Sequence, residues 1–169
     1  MPVSSQAPTA TQQAQIPAGY TALRTESVSL EAVKELQLPL SYEDVTIYPS
    51  ADNTLTYIFC GNNSWNYAEN EIATLSLKDG TLILESGVWN KAWSRLTYRK
   101  WQPKIFIYLP ADLSADLSAS IGSGSMKSTM AVTADTVALD TASGSMTFSD
   151  VNSRSGLVVS NGSGSTKTG

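Results

Sequence analysis

The last third of the chain reads, in consecutive blocks, ADLSADLSASIGSGSMKSTM (residues 111–130), AVTADTVALDTASGSMTFSD (131–150) and VNSRSGLVVSNGSGSTKTG (151–169). Ser123-Gly124-Ser125, Ser143-Gly144-Ser145 and Ser163-Gly164-Ser165 fall in register at a spacing of 20 residues. Leu117, Val137 and Leu157 share one column, and Ala119, Leu139 and Val159 share the column two places on, as side chains on one face of a strand do. Gly122, Ala142 and Gly162 are all small, and Ser120, Asp140 and Ser160 place a short polar side chain just before them. A fixed period of this length predicts stacked rungs, because a single rung cannot bury its apolar face whereas strands paired one period apart can.

Gly124, Gly144 and Gly164 are expected to make the structural turns, reaching backbone angles closed to other residues, with the flanking serines bonding the turn backbone. A flexible Ser/Gly linker is the competing reading. Two matched apolar columns, which a linker does not need, argue against it. The third block is one residue short and lacks a polar cap. That leaves open a chain that continues, a final rung that frays, or one that pairs with another chain.

Upstream, Lys104-Ile105-Phe106-Ile107-Tyr108-Leu109-Pro110 is a strong strand former leading into the repeat. Ile72–Leu77 and Thr81–Glu85 flank Asp79-Gly80, a type I′ hairpin signal, with Leu75, Leu77, Leu82 and Leu84 on one face. Val45-Thr46-Ile47-Tyr48 and Leu55–Phe59 read as further strands. Residues 22–35 fit either a short helix or an irregular strand, and Pro39 marks an edge strand or a strand end. Residues 1–19, rich in Gln, Ala, Ser, Thr and Pro, cannot bury enough surface to fold and read as a disordered tail or stalk. The Met1-Pro2 start is consistent with a boundary left after removal of an export signal or anchor.

The expected fold is therefore all-β: a single-stranded β-solenoid, β-helix-like, with rungs of 20 residues, preceded by a smaller set of antiparallel strands and the tail. One β domain covers residues 20–169, with N-terminal strands and a Trp-rich cap or hairpin over about 36–110 and the repeats over about 111–169.

Composition removes several functions. A net charge of -4 lacks the basic footprint that nucleic acid requires. The absence of histidine eliminates Ser-His-Asp and Cys-His catalysis and the commonest zinc ligand. Cys60, alone in its chain, cannot form an intramolecular disulfide and sits in an apolar run, as a buried strand residue does. No stretch approaches the ~20 apolar residues of a membrane span.

The carboxylate pairs Glu43/Asp44, Glu69/Glu71, Asp112/Asp116 and Asp135/Asp140 read as solvated surface acids. Calcium between rungs would need a dense Gly/Asp pattern that is absent, so no metal or cofactor is expected. Ser123, Ser143 and Ser163 recur once per rung without a base, which fits structural turns and not a unique activated nucleophile.

Residues 87–101 differ in character, carrying Trp89, Trp93, Tyr98 and Trp101 among Lys91, Arg95, Arg99 and Lys100. Two readings stand: an aromatic ligand-binding patch, formed by those four aromatics, or tryptophans that cap one end of the core.

The strand run ending in Leu109-Pro110, followed by repeats of the form apolar-x-apolar-(Asp/Ser)-x-(Gly/Ala)-Ser-Gly-Ser, resembles the DUF4097-type bacterial "putative adhesins", related to head-domain "putative autotransporter adhesins". Val45–Pro49 and Asp79–Leu84 are similar to that group's earlier strands, and the likeness covers roughly residues 36–169. The resemblance implies a β-solenoid that is exported or tethered, with no catalytic residues to carry over. The expectation is a non-catalytic extracellular or cell-envelope binding module whose partner is an unidentified protein or glycan at a cell surface. The alternatives are a structural or signalling envelope protein self-associating through its C-terminal rung and, further off, a carbohydrate-active β-helix enzyme.

Overall fold

The computed structural model describes residues 4–5, 16–88 and 102–168. Twelve strands follow in chain order: β1 (Ser4–Ser5), β2 (Tyr20–Ser29), β3 (Glu35–Pro39), β4 (Asp44–Pro49), β5 (Thr54–Asn62) and β6 (Thr74–Lys78). Then come β7 (Thr81–Glu85), β8 (Lys104–Leu109), β9 (Asp116–Ile121), β10 (Ser125–Thr141), β11 (Ser145–Asn161) and β12 (Ser165–Lys167). The one helical segment among the described residues is a 3-10 turn, Glu69–Glu71. The class is all-β, and the strands form one large mixed sheet.

The period of the last third is a ladder. β10 pairs with β11 in parallel, with Ser125 opposite Ser145 and Val137 opposite Leu157, and β9 joins at Leu117 opposite Val137. All three members of the Leu117 column therefore lie side by side. The offset slips to 19 between Ala131/Asp150 and Ala134/Ser153 and recovers at Thr136/Gly156, so paired irregularities absorb the slip.

What precedes the repeat is not a separate antiparallel set. β4 pairs in parallel with the start of β10, β3 with β9 and β7, and β8 with β4. Antiparallel pairing is confined to β1/β2, β2/β5, β5/β8 and β6/β7 among the described strands.

The 17-residue strands β10 and β11 each serve two arms of the sheet. One arm runs β2, β5, β8, β4, then the first part of β10 and of β11, then β12. The other runs β6, β7, β3, β9, then the last part of β10 and of β11. The expected single-stranded solenoid is thus corrected to one mixed sheet folded over on itself. The rungs after Ala111 continue a parallel stack whose earlier levels are β7 with β8 and β3 with β4.

Both arms face a single core. Leu36, Leu82, Leu117 and Val137 from one arm and Val45, Ile105, Met126 and Met146 from the other belong to one buried cluster. A second cluster of Ile58, Cys60, Phe106 and Tyr108 lies on the other face of β5 and β8, with Tyr20, Ala22 and Tyr48 packed against it.

The Asp79-Gly80 hairpin forms as its signal predicts. Both residues take positive φ, 52° and 82°, and Leu75/Leu84 and Leu77/Leu82 are cross-strand pairs. The ambiguous 22–35 segment resolves mainly into β2. Pro39 is the last residue of β3, a strand end in the interior of the sheet. Most of the expected tail lies outside the described residues. Within it, Ser4–Ser5 pair with β2.

Candidate functional site

The corners joining the two arms stack along one edge of the molecule. Each corner donates its amides to the carbonyls of the corner before it. Gly122, Ser123 and Gly124 N–H reach Ser41 O at 3.0, 2.9 and 3.0 Å, and Ser143 and Gly144 N–H reach Gly122 O at 2.9 Å each. Ser125, Ser145 and Ser165 N–H donate to Glu43 O, Gly124 O and Gly144 O, each at 3.1 Å. Glu43 therefore stands in the column that glycine occupies in the next three corners.

Close stacking is what demands glycine there. A Cβ on Gly124 would lie 2.1 Å from Glu43 O, one on Gly144 2.0 Å from Gly124 O, and one on Gly164 2.1 Å from Gly144 O. The expectation that these glycines supply unusual backbone angles is corrected. Among the described residues only Gly19 and Gly80 are glycines with positive φ. The constraint is the approach of one backbone to the next.

The corner from Ser86 to Pro103 departs from the others. β7 lies 46 residues beyond its partner β3, since Glu35 faces Thr81, whereas β8 lies 60 beyond β4, since Asp44 faces Lys104. The corner between β7 and β8 thus holds 14 more residues than the corner between β3 and β4. Trp89, Trp93, Tyr98 and Trp101 all fall in this excess and lie outside the described residues.

The ends of the long corner are placed. Ser86 Oγ donates to Glu43 Oε1 at 2.5 Å and accepts from Ser41 N–H at 2.9 Å. Gln102 Nε2 donates to Tyr42 O at 2.8 Å, and the Gln102 backbone carbonyl accepts from Tyr20 Oη at 3.1 Å. Val88 N–H donates to Asn70 O at 2.7 Å and its side chain is exposed. Gly87 has no room for a Cβ, which would meet Glu71 C at 2.4 Å.

Glu43, read from sequence as a solvated acid, is completely buried. Its Oε1 also accepts from the Ser41 and Tyr42 amides, at 3.3 and 3.2 Å. Oε2 has no hydrogen-bond partner among the described residues. Burial raises the carboxyl's pKa, and the Ser86 and backbone hydrogen bonds oppose that rise without cancelling it. The same burial, with Glu43 second, raises the Tyr42 phenol above its ordinary value.

A pH dependence follows. The folded protein holds the Glu43 proton more tightly than the unfolded chain, so this contribution to stability is full below the unfolded carboxylate value. It declines as pH rises through the higher folded value. Glu43→Gln keeps an acceptor for Ser86 and removes the titration. Urea unfolding of both proteins from acid to mild alkali should show the parent losing stability relative to the variant as pH rises. The relative slope should be at most about 1.4 kcal/mol per pH unit. A difference independent of pH would contradict this assignment.

Beside the stacked corners, Gln102, Ser123, Gly124, Ser125, Ser143, Gly144 and Ser145 line a groove of about 380 Å3. Its floor repeats with the corners, and its near end is Gln102, where the long corner rejoins β8. Next to it Lys104 pairs with Asp44 at 2.6 Å, Ser125 Oγ donates to Asp44 Oδ1 at 2.7 Å, and Lys104 Nζ stands 5.3 Å from the Tyr20 ring centroid. Three levels are thus tied through side chains at equivalent strand starts.

The remaining candidates behave differently. The Cys60 thiol is fully buried, and burial pushes its pKa up to about 12, which keeps it from acting as a thiolate. Asp112 and Asp135 both pair with Arg154, the latter at 2.8 Å, and none of the three lines the groove. No group of three metal-ligating side chains occurs among the described residues. The sequence reading missed Glu43, Ser86 and Gln102. The only signal was positional: Glu43 precedes β4 as Gly124 precedes β10.

A family model described as Toastrack DUF4097 matches residues 33–167. No curated protein matches the sequence. Among solved structures, a "putative cell adhesion protein" from Clostridium sporogenes is 12% identical, with a TM-score of 0.51 over 86% of this chain and 98% of that one. A "putative adhesin" from Bacteroides fragilis is 14% identical, with a TM-score of 0.33 over 90% of this chain and 98% of that one. The first of these shares the fold.

Proposed function

This chain belongs to the Toastrack DUF4097 family, and on that premise we propose that it is a non-catalytic binding module of the cell envelope or cell surface. Its contact region is the corner edge, where the Trp-rich segment emerges beside the serine-lined groove. The observation that carries this reading is the long corner. In a stack of tight turns, one level holds 14 additional residues whose ends are fixed by Ser86–Glu43 and Gln102–Tyr42. Segments positioned by a rigid scaffold are where binding residues concentrate.

The groove supports the same reading. It offers hydroxyls and backbone at a repeat set by the strand spacing, a match for an extended polar partner such as a glycan or a peptide. The structural neighbour from Clostridium sporogenes is described as a "putative cell adhesion protein", which agrees with a surface role. The Trp89, Trp93, Tyr98 and Trp101 patch supplies the aromatic anchors that dominate such contacts. A non-catalytic role fits a chain without histidine whose single thiol is buried.

The test is binding of the purified protein to arrays of bacterial and host glycans and to envelope extracts, with the Trp89→Ala/Trp93→Ala double variant beside it. Loss of an anchor pair of this kind costs about 2 kcal/mol or more, a drop in affinity of roughly thirtyfold. The melting temperature should not change. Unchanged binding by the variant would remove the aromatic patch, and recovery of the mature protein from the cytosolic fraction alone would remove the envelope role.

A further inference from the structure

The last part of β11 is an open edge of the sheet. Residues 156–161 pair with β10 on one side, and no described strand pairs with them on the other. Leu157, Val158 and Val159 are 45, 65 and 41% exposed, whereas Val137 and Leu139, the counterparts of Leu157 and Val159 one level in, are 1% exposed. These three consecutive residues make up most of the exposed large hydrophobics of the described chain, which otherwise are Leu23 and Val88.

Sheet edges that must stay single are blunted with lysine, proline or short length. The far end of the same arm follows that rule: β6 has five residues and ends in Lys78. Residues 155–161 carry no proline and no charge. The nearest charge, Arg154, is already paired with Asp112 and Asp135.

We propose that this edge docks a second copy of the same chain, β11 against β11 antiparallel, about a two-fold axis at Val158. That register sets Leu157 of each copy opposite Val159 of the other. Both residues lie in the core-facing columns, so the apolar columns running from Leu117 through Val137 continue across the axis. Val158, one place between them, points to the opposite face and meets its own copy. In an isologous contact the residue on the axis meets its own copy and its neighbours meet each other, so a charge at the axis would face its like and one beside it would lie close to its symmetry mate. The neutral stretch 155–161 meets that requirement, which supplies the electrostatic fit for a self-partner. The proposal does not depend on the binding role of the corner edge.

Sedimentation velocity of the full chain over a concentration series up to about 100 μM, where a micromolar contact is populated, should show the mass double and then stop. Val158→Lys places two ammonium groups at the axis without touching the core, and it should shift the midpoint of dimerisation at least tenfold upward with the melting temperature of the dilute protein unchanged. Val158→Cys should give a disulfide-linked dimer under mild oxidation, since a directly opposed antiparallel pair brings the β-carbons close enough and Cys60 is buried. A monomer at every concentration, growth beyond a dimer, a dimer indifferent to Val158→Lys, or a dimer in which Val158→Cys fails to cross-link would overturn it.

Discussion

Gly144→Ala is expected to destabilise the fold by about 3 kcal/mol or more, at or beyond the upper end of what an added methyl costs in a packed interior. The new Cβ would stand 2.0 Å from Gly124 O, and the obstructing atom is backbone, held in its own ladder and unable to swing aside. Relief requires lifting one level off the next, which breaks the hydrogen bonds from Ser143, Gly144 and Ser145 to the corner below. Gly124→Ala should be as severe. Gly164→Ala should be milder, because it lies in the last corner, where the short β12 can lift away.

Asparagine distinguishes close approach from backbone conformation. Asn tolerates left-handed angles better than alanine, so if φ were the reason, Gly144→Asn would be the gentler change. With close approach as the reason, it should be no better than Gly144→Ala. Urea unfolding of the four variants measures both points, and a Gly144→Ala protein as stable as the parent would refute the packing argument.

Phe148→Ala should cost about 3–5 kcal/mol, the usual range for deleting a fully buried aromatic ring. Phe148 is 1% exposed and is aligned with Ser128 and, one level further, Ile47. Ser128 is also buried, its hydroxyl turned onto Met130 O at 2.7 Å, so that level contributes little volume. The ring of Phe148 is the largest of these three side chains and closes the core near the open end of the stack. Phe148→Leu should recover most of the loss, leaving a deficit of about 1 kcal/mol. Thermal or urea unfolding of the pair separates lost volume from lost aromatic character. If alanine cost less than 1 kcal/mol, the core would not extend to this level.

The parts of the fold that were legible in the sequence are those where neighbours in space are also evenly spaced in the chain. Leu117, Val137 and Leu157 reveal their stacking because each corner has the same length and nothing intervenes. β3 and β4 are built the same way, but their partners lie 81 residues on in one direction and 46 or 60 in the other. The excursion through β5 and β6 and the long corner remove the period while leaving the geometry intact. That is why those strands read as a separate antiparallel set.

Of the candidate site, only the composition was legible. The Trp-rich segment stood out by composition, and the structure adds where its ends are held. Glu43 could not be recognised, because a carboxylate beside Asp44 at a strand entrance looks like any exposed acid. It is buried because the long corner lays Ser86 against it, a contact spanning 43 residues of sequence. For the glycines, sequence supplied the position and the wrong cause. A Ser-Gly-Ser motif suggests a turn in one chain segment, whereas the constraint comes from the segment stacked on it.

The unequal corner between β7 and β8 has a consequence for how such a scaffold changes over generations. Its 14 surplus residues leave the pairing of Glu35 with Thr81 and of Asp44 with Lys104 undisturbed on either side. Closing a loop grows costlier only slowly with its length, by roughly 0.6 kcal/mol per doubling. Lengthening or exchanging that segment therefore perturbs neither arm. Selection, or an engineer grafting a foreign peptide, can rewrite it while the glycine-stacked frame stays as it is.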